Sequence, residues 1–344
     1  MSTNVGGGRV SVGARHPAAD RGRAAPPRRT AGKGIYSGFE LIFFSVGTAA
    51  TGGECLISED RAFTLLKRRI LIDRGFDCEQ YKENYLKRRL AVRMRVTGAS
   101  DYLEYLNTLK KNPEEYTDLL NELTVNVTEF FRDPDVYKML AQEIIPRMLD
   151  SKSGFSSRAV RIWSAGCASG EEPYSMAILI DSILDDAVDG WSVRVLGSDY
   201  DDSSLRTARA AEYKDLKVPD YIDPERYFLI SQEGSTTTYR VRDRIKKNVR
   251  FERSNLLEYE ARRHYDMVLC RNVLIYFGRD VQKKIISALV GSIVGDGYLV
   301  LGKSETVGTG GARLLKSLFP SERIYQRISE KKPAAKGGAD GQPQ

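Results

Sequence analysis

The spacing of apolar residues changes along the chain near residue 150. Before this point apolar side chains recur every three or four residues, as Phe63, Leu66 and Ile70 do within Asp60–Asp73, and this is the interval of a helix with one buried face. The same spacing predicts helices at about 79–96, 101–110, 114–123 and 133–149. Residues 54–150 are therefore predicted to form an N-terminal all-helical domain.

From Val160 onward, short apolar runs alternate with helical segments. The predicted strands are Val160–Ser164, Ser192–Ser198, Val249–Glu252, Asp266–Cys270, Gly297–Leu301 and Glu322–Arg327, and the predicted helices are Glu172–Ala187, Ser203–Ala211 and Val281–Val294. Such alternation is typical of a parallel sheet with helices on both faces. The predicted fold class is α/β, in which residues 151–330 form a doubly wound, mostly parallel sheet.

Two departures from a regular parallel sheet are expected. The connection between the last two predicted strands is too short for a crossover helix and a further strand, so the final strand is predicted to run antiparallel. The turn signal Glu233–Gly234–Ser235 precedes the strand-like Tyr239–Val241, which predicts a small inserted β subdomain near 228–248.

Composition sets the two ends of the chain apart. Residues 1–53 are rich in Gly, Ala, Arg and Pro without a sustained period, and we predict a disordered basic tail there. Residues 331–344 are predicted to form a disordered C-terminal tail. The apolar run Ile35–Ala50 is too short to span a membrane and contains Glu40, so a signal peptide is favoured less than a disordered tail or a start codon placed too far upstream.

Charge and cysteine usage argue against two classes of site. Most of the net charge of +7 lies in residues 1–50, where seven basic residues stand beside two acids, so the pI of 9.1 is weak evidence for nucleic-acid binding. No CxxC pair occurs among the four cysteines and two histidines, Cys55, Cys78, Cys167, Cys270, His16 and His264. We therefore expect no metal site and a reduced, cytoplasmic protein with free buried thiols.

The segment Val160–Ile180, VRIWSAGCASGEEPYSMAILI, combines a strand, a glycine-bounded loop at Gly166–Gly170 and a helix. This arrangement brings backbone close to a bound nucleotide. The loop ends in Glu171 and Glu172 and lacks the GxGxxG spacing. Carboxylates suit a ribose hydroxyl or a cationic ligand and disfavour a pyrophosphate, which points to S-adenosylmethionine rather than NAD or ATP.

Polar residues follow each of the first four predicted strands of the sheet. Asp199 follows the second strand, Asn255 the third, and Arg271 and Asn272 the fourth. Ligands bind at the carboxyl ends of the strands in such sheets. Any one of these residues could instead cap a helix, but several at one edge favour a binding site. Before the sheet, the segment NVTEFFRDP contains Asn126, Thr128 and Arg132 beside Phe130 and Phe131, residues that could equally form a helix cap with a surface arginine.

Five motifs in this order, NVTEFFRDP, VRIWSAGCASGEEPYSMAILI, GSDYD, SNLLE and CRNVLIYF, resemble the chemotaxis receptor methyltransferase (CheR) family from about Asp60 to Ile328. The resemblance implies a helical domain followed by an S-adenosylmethionine-dependent methyltransferase domain that methylates glutamates on the cytoplasmic helices of chemoreceptors. It implies Arg132 and Tyr276 as catalytic residues. It also implies a cofactor-binding set: Asn126, Thr128, Arg132, Gly166, Glu172, Asp199, Asn255, Leu256, Arg271 and Asn272. The pair Phe130–Phe131 would line a water-poor pocket.

The second predicted helix is strongly basic, which is typical of a solvated face in isolation. The resemblance implies that it docks the acidic receptor helices through Lys87, Arg88, Arg89, Arg93 and Arg95. Some family members also bind a receptor C-terminal peptide through a glycine-bearing loop, but here that region, ISQEGSTTTYRV, has one glycine. We expect a monomer that neither inserts into membranes nor binds nucleic acid.

Two alternative functions belong to other classes. A cofactor-binding signalling module without transfer activity would be favoured by loss of Arg132, Tyr276 or Asp199, and all three are present. A nucleic-acid methyltransferase would be expected to carry an NPPY-like element after the fourth strand, where this chain has RNVLIYF.

Overall fold

The computed structural model describes residues 57–124, 126–154, 158–185, 190–261, 264–311 and 313–329, which fall within one compact unit, Leu56–Gln344. The two predicted tails, residues 1–53 and 331–344, lie outside the described residues, as do Cys55 and His16.

A helical layer precedes the sheet. It consists of α1 (Glu59–Arg74), α2 (Glu83–Thr97), α3 (Tyr102–Lys111) and α4 (Glu115–Leu123). α1 begins where Ser58 Oγ accepts the N–H of Arg61 and ends at Gly75, whose left-handed φ of 67° suits glycine. The apolar faces of the four helices share one core cluster, which confirms the predicted all-helical region.

The single helix predicted over about 133–149 is divided in the structure. α5 (Pro134–Met139) and α6 (Ile145–Ser153) flank a π-helical turn, Leu140–Ile144. Pro146 lies in the first turn of α6. A proline inside a helix has no N–H to donate and collides with the carbonyl four residues earlier, and the wider π turn before it accommodates that collision.

The remaining elements are strands interspersed with helices. The strands are β1 (Ala159–Ala165), β2 (Ser192–Asp199), β3 (Glu212–Tyr213), β4 (Phe228–Glu233), β5 (Thr236–Val241), β6 (Val249–Arg253), β7 (Tyr265–Cys270), β8 (Ile293–Leu301), β9 (Leu315–Phe319) and β10 (Ile324–Arg327). The helices are α7 (Glu171–Leu184), α8 (Asp202–Ala210), α9 (Pro224–Tyr227), α10 (Asp243–Lys246), α11 (Arg279–Gly291) and α12 (Gly308–Gly311).

Seven strands form the main sheet, in the order β6-β2-β1-β7-β8-β10-β9. The first five are parallel to one another, whereas β10 runs antiparallel to both β8 and β9. The predicted α/β class and the antiparallel final strand are therefore confirmed. β9 was not predicted, because only its first residue is buried and its sequence, LKSLF, shows no strict alternation.

The start of β8 corrects another prediction. The sequence predicts helix as far as Val294 and strand from Gly297, but α11 ends at Gly291 and β8 begins at Ile293. A register shift lies between the pairs Tyr265–Ile293 and Met267–Tyr298. The extra residues form a bulge, which a pattern of alternation cannot reveal.

The inserted β subdomain is a three-stranded antiparallel sheet in the order β3-β5-β4. β4 and β5 form a hairpin within the predicted range, and its turn contains Gly234 with a left-handed φ of 59°. β3 lies outside that range, at Glu212–Tyr213. It was not predicted, because a two-residue strand leaves no periodic signal in the sequence.

The helical layer is attached to the main sheet at the turn that follows β7. The Lys82 N–H donates to the Tyr276 carbonyl at 2.9 Å. The rings of Tyr81 and Phe277 lie 4.9 Å apart between centroids. The start of α2 is therefore held against the carboxyl end of the sheet.

Candidate functional site

The loop between β1 and α7 requires its glycines. Gly166 has a φ of 77°, and a Cβ there would lie 2.5 Å from Val273 Cγ2; Gly170 has a φ of 94°, and a Cβ there would lie 2.8 Å from Ala208 Cβ. A side chain at either position would be strained and would clash. The loop backbone consequently packs closely against the turn after β7 and against α8.

The two acids at the end of this loop have different surroundings. Glu172 accepts a hydrogen bond from Ser164 Oγ at 2.7 Å and lies 3.3 Å from Arg271 Nη1. Glu171 is buried and accepts from Ser169 Oγ at 2.8 and 2.9 Å, and its burial raises its pKa above the usual range. Only Glu172 lines the cavity described below.

Asp199, the last residue of β2, has both oxygens oriented by backbone donors. Oδ2 accepts the Ala168 N–H at 2.8 Å and Oδ1 accepts the Asp201 N–H at 2.9 Å. Burial raises its pKa, and the two N–H bonds act in the opposite direction. Each oxygen retains a lone pair for a further donor. Nearby, the Asn126 amide donates to Asp201 Oδ2 at 2.6 Å.

Arg271 links the segment before the sheet to the end of β7. Its side chain is 2% exposed, and Nη2 donates to Asp133 Oδ2 at 2.6 Å and to the Arg132 carbonyl at 2.7 Å, while Nη1 faces Glu172. A charge-assisted network of this kind orients several groups at once. Sequence reasoning placed Arg271 at the site but did not foresee its contact with Asp133.

Asn272 and Asn255 differ in what their side chains contact. Asn272 has a left-handed φ of 62°, and its buried Oδ1 has no hydrogen-bond partner in the described part of the chain. Asn255 caps its own turn, since Oδ1 accepts the Leu257 N–H and Nδ2 donates to Glu258. An unpartnered buried oxygen is costly unless a ligand satisfies it.

The two predicted catalytic residues, Arg132 and Tyr276, are both partly exposed. Arg132 Nη1 donates to the Val127 carbonyl at 2.9 Å, and the other guanidinium donors have no hydrogen-bond partner among the described residues. The Tyr276 ring is tilted against that of Tyr85, with the ring centroids 4.8 Å apart. Burial raises the Tyr276 pKa, although the charges of Arg89 and Arg132 act to lower it.

The expected lining by Phe130 and Phe131 is wrong. Both rings are buried in the core of the sheet domain and neither lines the cavity. Phe130 packs edge-on against Tyr213 and Phe228. A φ of 51° at Phe131 turns the chain, and its N–H donates to Ser175 Oγ. The pair anchors the segment beneath Arg132 instead of lining the pocket.

The structure brings all eleven predicted catalytic and cofactor residues together around one cavity of about 440 Å³ at the carboxyl ends of the strands. We call this the strand-end cavity; the predicted residues that line it are Asn126, Thr128, Arg132, Gly166, Glu172, Asp199, Asn255, Leu256, Arg271, Asn272 and Tyr276. This volume is typical of a small-molecule site.

Sequence reasoning missed the cavity wall that the helical layer contributes. Phe76 and Tyr81, whose rings stack at 4.9 Å, line it from the connection between α1 and α2. On the sheet side, Tyr259 lines the cavity, and its ring is tilted against that of Trp163 with the centroids 4.4 Å apart. Neither contribution has a local signal, since each depends on contacts between distant segments.

The basic residues of α2 divide into two groups. Three of the five form ion pairs within the helical layer: Lys87 with Glu83 at 2.7 Å, Arg89 with Glu122 at 2.8 Å, and Arg93 with Glu115 at 2.6 Å and Asp118 at 3.0 Å. Arg88 and Arg95 are exposed and have no ion pair within the described ranges.

The described residues give little support for thiol or metal chemistry. Cys78, Cys167 and Cys270 are buried and free, and burial raises the pKa of each thiol, to about 12 for Cys78. In the part of the chain that the structure describes, no group of His, Cys, Asp and Glu could hold a metal ion. Within the same ranges, no helix has the length and apolar character needed to cross a membrane.

The lining of the strand-end cavity fits S-adenosylmethionine. Asp199 offers oriented lone pairs to hydroxyl donors, and the unpartnered Oδ1 of Asn272 accepts a donor. Glu172 supplies a second carboxylate, and a cationic ligand is favoured beside it. Leu256 and Val273 add apolar surface.

Comparison with known proteins gives the same result. The model of the CheR methyltransferase SAM-binding domain matches residues 126–320, and that of the CheR methyltransferase all-alpha domain matches residues 61–124. The chain is 33% identical over 258 residues to a chemotaxis protein methyltransferase of Escherichia coli K12, covering 73% of this chain and 86% of the relative. It is 29% identical to a chemotaxis protein methyltransferase of Listeria monocytogenes, covering 72% of this chain and 91% of the relative. It is 32% identical to chemotaxis protein methyltransferase 1 of Vibrio cholerae, covering 67% of this chain and 82% of the relative. The chain therefore belongs to the CheR methyltransferase family, and its cofactor is S-adenosylmethionine.

Proposed function

We propose that this protein methylates glutamate side chains on the cytoplasmic helices of methyl-accepting chemoreceptors, acting as a cytoplasmic monomer. The observation that carries the proposal is the meeting of Arg132 and Tyr276 with the cofactor-fitting carboxylates in one cavity. The chemotaxis methyltransferases to which the chain is similar support the same conclusion.

Asp199, Glu172 and Asn272 hold the cofactor in this proposal. The oriented carboxylate of Asp199 accepts the ribose hydroxyls, and Asn272 Oδ1 accepts a donor of the ligand. Arg271 keeps Glu172 in place through the 3.3 Å contact. When bound, S-adenosylmethionine supplies a methyl group on a positively charged sulfur.

Arg132 binds the acceptor carboxylate. Apart from the donor bonded to Val127, its guanidinium donors have no partner in the part of the chain that the structure describes, and a guanidinium recognises a carboxylate through a planar fork. A glutamate side chain is already ionised at neutral pH, since its reference pKa is about 4.3. No general base is needed, and catalysis depends on positioning, which can lower a barrier by roughly 7–11 kcal/mol.

The state of Tyr276 agrees with a reaction that needs no general base. Burial raises the pKa of this tyrosine, so it remains a neutral phenol at pH 7. We propose that it shapes the acceptor side of the cavity rather than removing a proton.

Receptor docking would rely on Arg88 and Arg95 more than on the other cations of α2. Lys87, Arg89 and Arg93 are paired within the helical layer, and a paired cation attracts an acidic helix less strongly. The start of α2 lies beside Tyr276, so an acidic receptor helix attracted to α2 would approach the cavity.

The decisive experiment incubates the purified protein with radiolabelled S-adenosylmethionine and membranes that contain chemoreceptors, then treats the product with alkali. Label that is released by alkali supports a carboxyl methyl ester. Receptor-free membranes and the Arg132→Ala protein are the controls. Alkali-stable label, label in nucleic acid, or no label would contradict the proposal; the last outcome with intact cofactor binding would favour a non-catalytic signalling module.

A further inference from the structure

Glu305 is a buried carboxylate that does not line the strand-end cavity. It lies four residues beyond the end of β8, in a turn closed by its own N–H, which donates to the Gly302 carbonyl at 2.8 Å. The residue is 3% exposed. No ion pair of Glu305 with a described residue is present, so another kind of partner must compensate its burial.

Backbone N–H groups provide that compensation. Glu305 Oε2 accepts from Gly302 at 2.7 Å and from Asn272 at 2.9 Å, and Oε1 accepts from Ile275 at 3.3 Å. Gly302 belongs to the turn after β8, whereas Asn272 and Ile275 belong to the turn after β7. One carboxylate therefore joins the ends of two adjacent parallel strands.

The contact between these turns leaves no spare room. A Cβ at Gly302 would lie 2.7 Å from both Asn272 N and Glu305 Oε2. Asn272 meanwhile has a left-handed φ of 62°, a conformation that asparagine tolerates better than most non-glycine residues. The hydrogen bond from its N–H to Glu305 holds the turn in this conformation.

The turn after β7 carries one residue on the cofactor side of the strand-end cavity and one on the acceptor side. Asn272 and Tyr276 both line the strand-end cavity, and the buried Oδ1 of Asn272 has no hydrogen-bond partner among the described residues. Ile275, whose N–H is bound by Glu305, directly precedes Tyr276. Displacement of this turn would move the cofactor side and the acceptor side of the cavity together.

We propose that Glu305 is a positioning residue that sets the turn after β7, and with it Asn272 and Tyr276, for cofactor binding and methyl transfer. The acceptor side of this inference rests on the proposed function, while the cofactor side rests on the cavity alone. Burial raises the pKa of Glu305, and the backbone N–H bonds act in the opposite direction.

Glu305→Gln tests the inference because it keeps the shape of the side chain. One carboxylate oxygen becomes an NH₂ group, which cannot accept from a backbone N–H. Either the contact with Gly302 and Asn272 or the contact with Ile275 is then lost. Glu115→Gln is the matched control, since Glu115 is 5% exposed and bonded to Arg93 and Tyr105 but lies outside the cavity.

Three measurements are made on full-length protein, below the melting temperature of every variant. These are the Kd for S-adenosylhomocysteine by calorimetry, the kcat and KM for methyl transfer, and the hydrogen–deuterium exchange of peptides covering 271–277. We expect Glu305→Gln to raise Kd and lower kcat at least tenfold each and to accelerate exchange in 271–277. Glu115→Gln should lower the melting temperature while changing Kd and kcat less than twofold.

A folded Glu305→Gln protein whose Kd and exchange are within twofold of wild type would overturn the inference. An equal loss of cofactor affinity and kcat in Glu115→Gln would overturn it too. Should Glu305→Gln fail to fold, Glu305→Asp decides. Aspartate keeps the negative charge, but its side chain is one methylene shorter. We expect smaller losses in the same three measurements, and wild-type values in all of them would contradict the inference. If wild type labels no receptor while Glu305→Gln still weakens cofactor binding, the proposed function fails and the role of Glu305 in cofactor binding stands.

Discussion

The charged residues of α2 and those of the strand-end cavity were predicted to act in the same way, by contacting ligands. In the structure they differ in their partners. Arg93 of α2 forms a two-pronged contact with the nearly buried Glu115, at 2.6 and 2.9 Å. Asp199 in the cavity instead accepts from backbone N–H groups, which orient it without neutralising its charge.

This difference separates a structural charge from a binding charge. Side-chain ion pairing, as in Arg93 and Arg89, uses the charge to hold helices together. Backbone donors leave the full charge and a lone pair available to a ligand. The same reasoning applies to Arg132, whose one observed partner is a neutral carbonyl.

The largest effect is expected for Arg132→Ala. Removal of the group that binds the acceptor carboxylate should lower kcat by about a thousandfold, or about 4 kcal/mol. The Kd for S-adenosylhomocysteine should change less than tenfold. Single-turnover transfer and calorimetry measure the two quantities, with the exposed Arg161→Ala as control. Complete loss of cofactor binding would contradict the assigned role.

Arg93→Ala is expected to act on stability instead. The change leaves the buried Glu115 carboxylate without its main partner, and breaking such a pair costs about 3 kcal/mol. Urea unfolding measures the loss of free energy of unfolding. Cofactor affinity measured on the folded variant should stay within twofold, and a selective loss of affinity at unchanged stability would show that Arg93 is a binding charge after all.

Asp199→Asn should weaken S-adenosylhomocysteine binding about tenfold, or about 1.4 kcal/mol. The amide has lost a charged acceptor, and its NH₂ group must face one of the backbone donors, Ala168 or Asp201. Calorimetry at pH 7 measures the change. Glu171→Gln alters a neighbouring buried acid outside the cavity and should leave the affinity within twofold.

Cofactor affinity should also depend on pH through Asp199. Because burial raises the pKa of this carboxyl, protonation begins at a higher pH than for an ordinary aspartate, and the protonated form is a poorer acceptor. The Kd for S-adenosylhomocysteine should therefore rise as pH falls towards that raised pKa. The dependence should be weaker in Asp199→Asn; an identical profile in both proteins would assign it to another group.

The smallest effect is expected for the charge reversal Arg88→Glu with Arg95→Glu. Exposed charges act mainly by steering, so KM for receptor should rise about threefold to fivefold at low salt, and the difference should shrink as salt is added. Cofactor affinity should not change. The matched control reverses Lys110 and Lys111 at the exposed end of α3; an equal rise in KM there would argue for net charge rather than a docking face.

Local sequence was sufficient to predict six of the seven strands of the main sheet and the positions of its polar strand ends. Asp199, Asn255 and Asn272 were predictable because the carboxyl ends of parallel strands meet at one edge. Details that depend on geometry were not predictable. The π turn before Pro146 and the bulge in β8 change the register without changing the apolar pattern.

The sequence by itself determined the fold class, the family and eleven of the residues that line the cavity, because periodicity and motif order are properties of neighbours along the chain. Only the tertiary structure decided which charges are paired and what covers the site. Arg93 meets Glu115, Phe76 reaches the cavity from the helical layer, and Glu305 joins two strand ends. Each of these contacts joins residues that are distant in sequence or lie on separate elements, so no local sequence pattern predicts the partner.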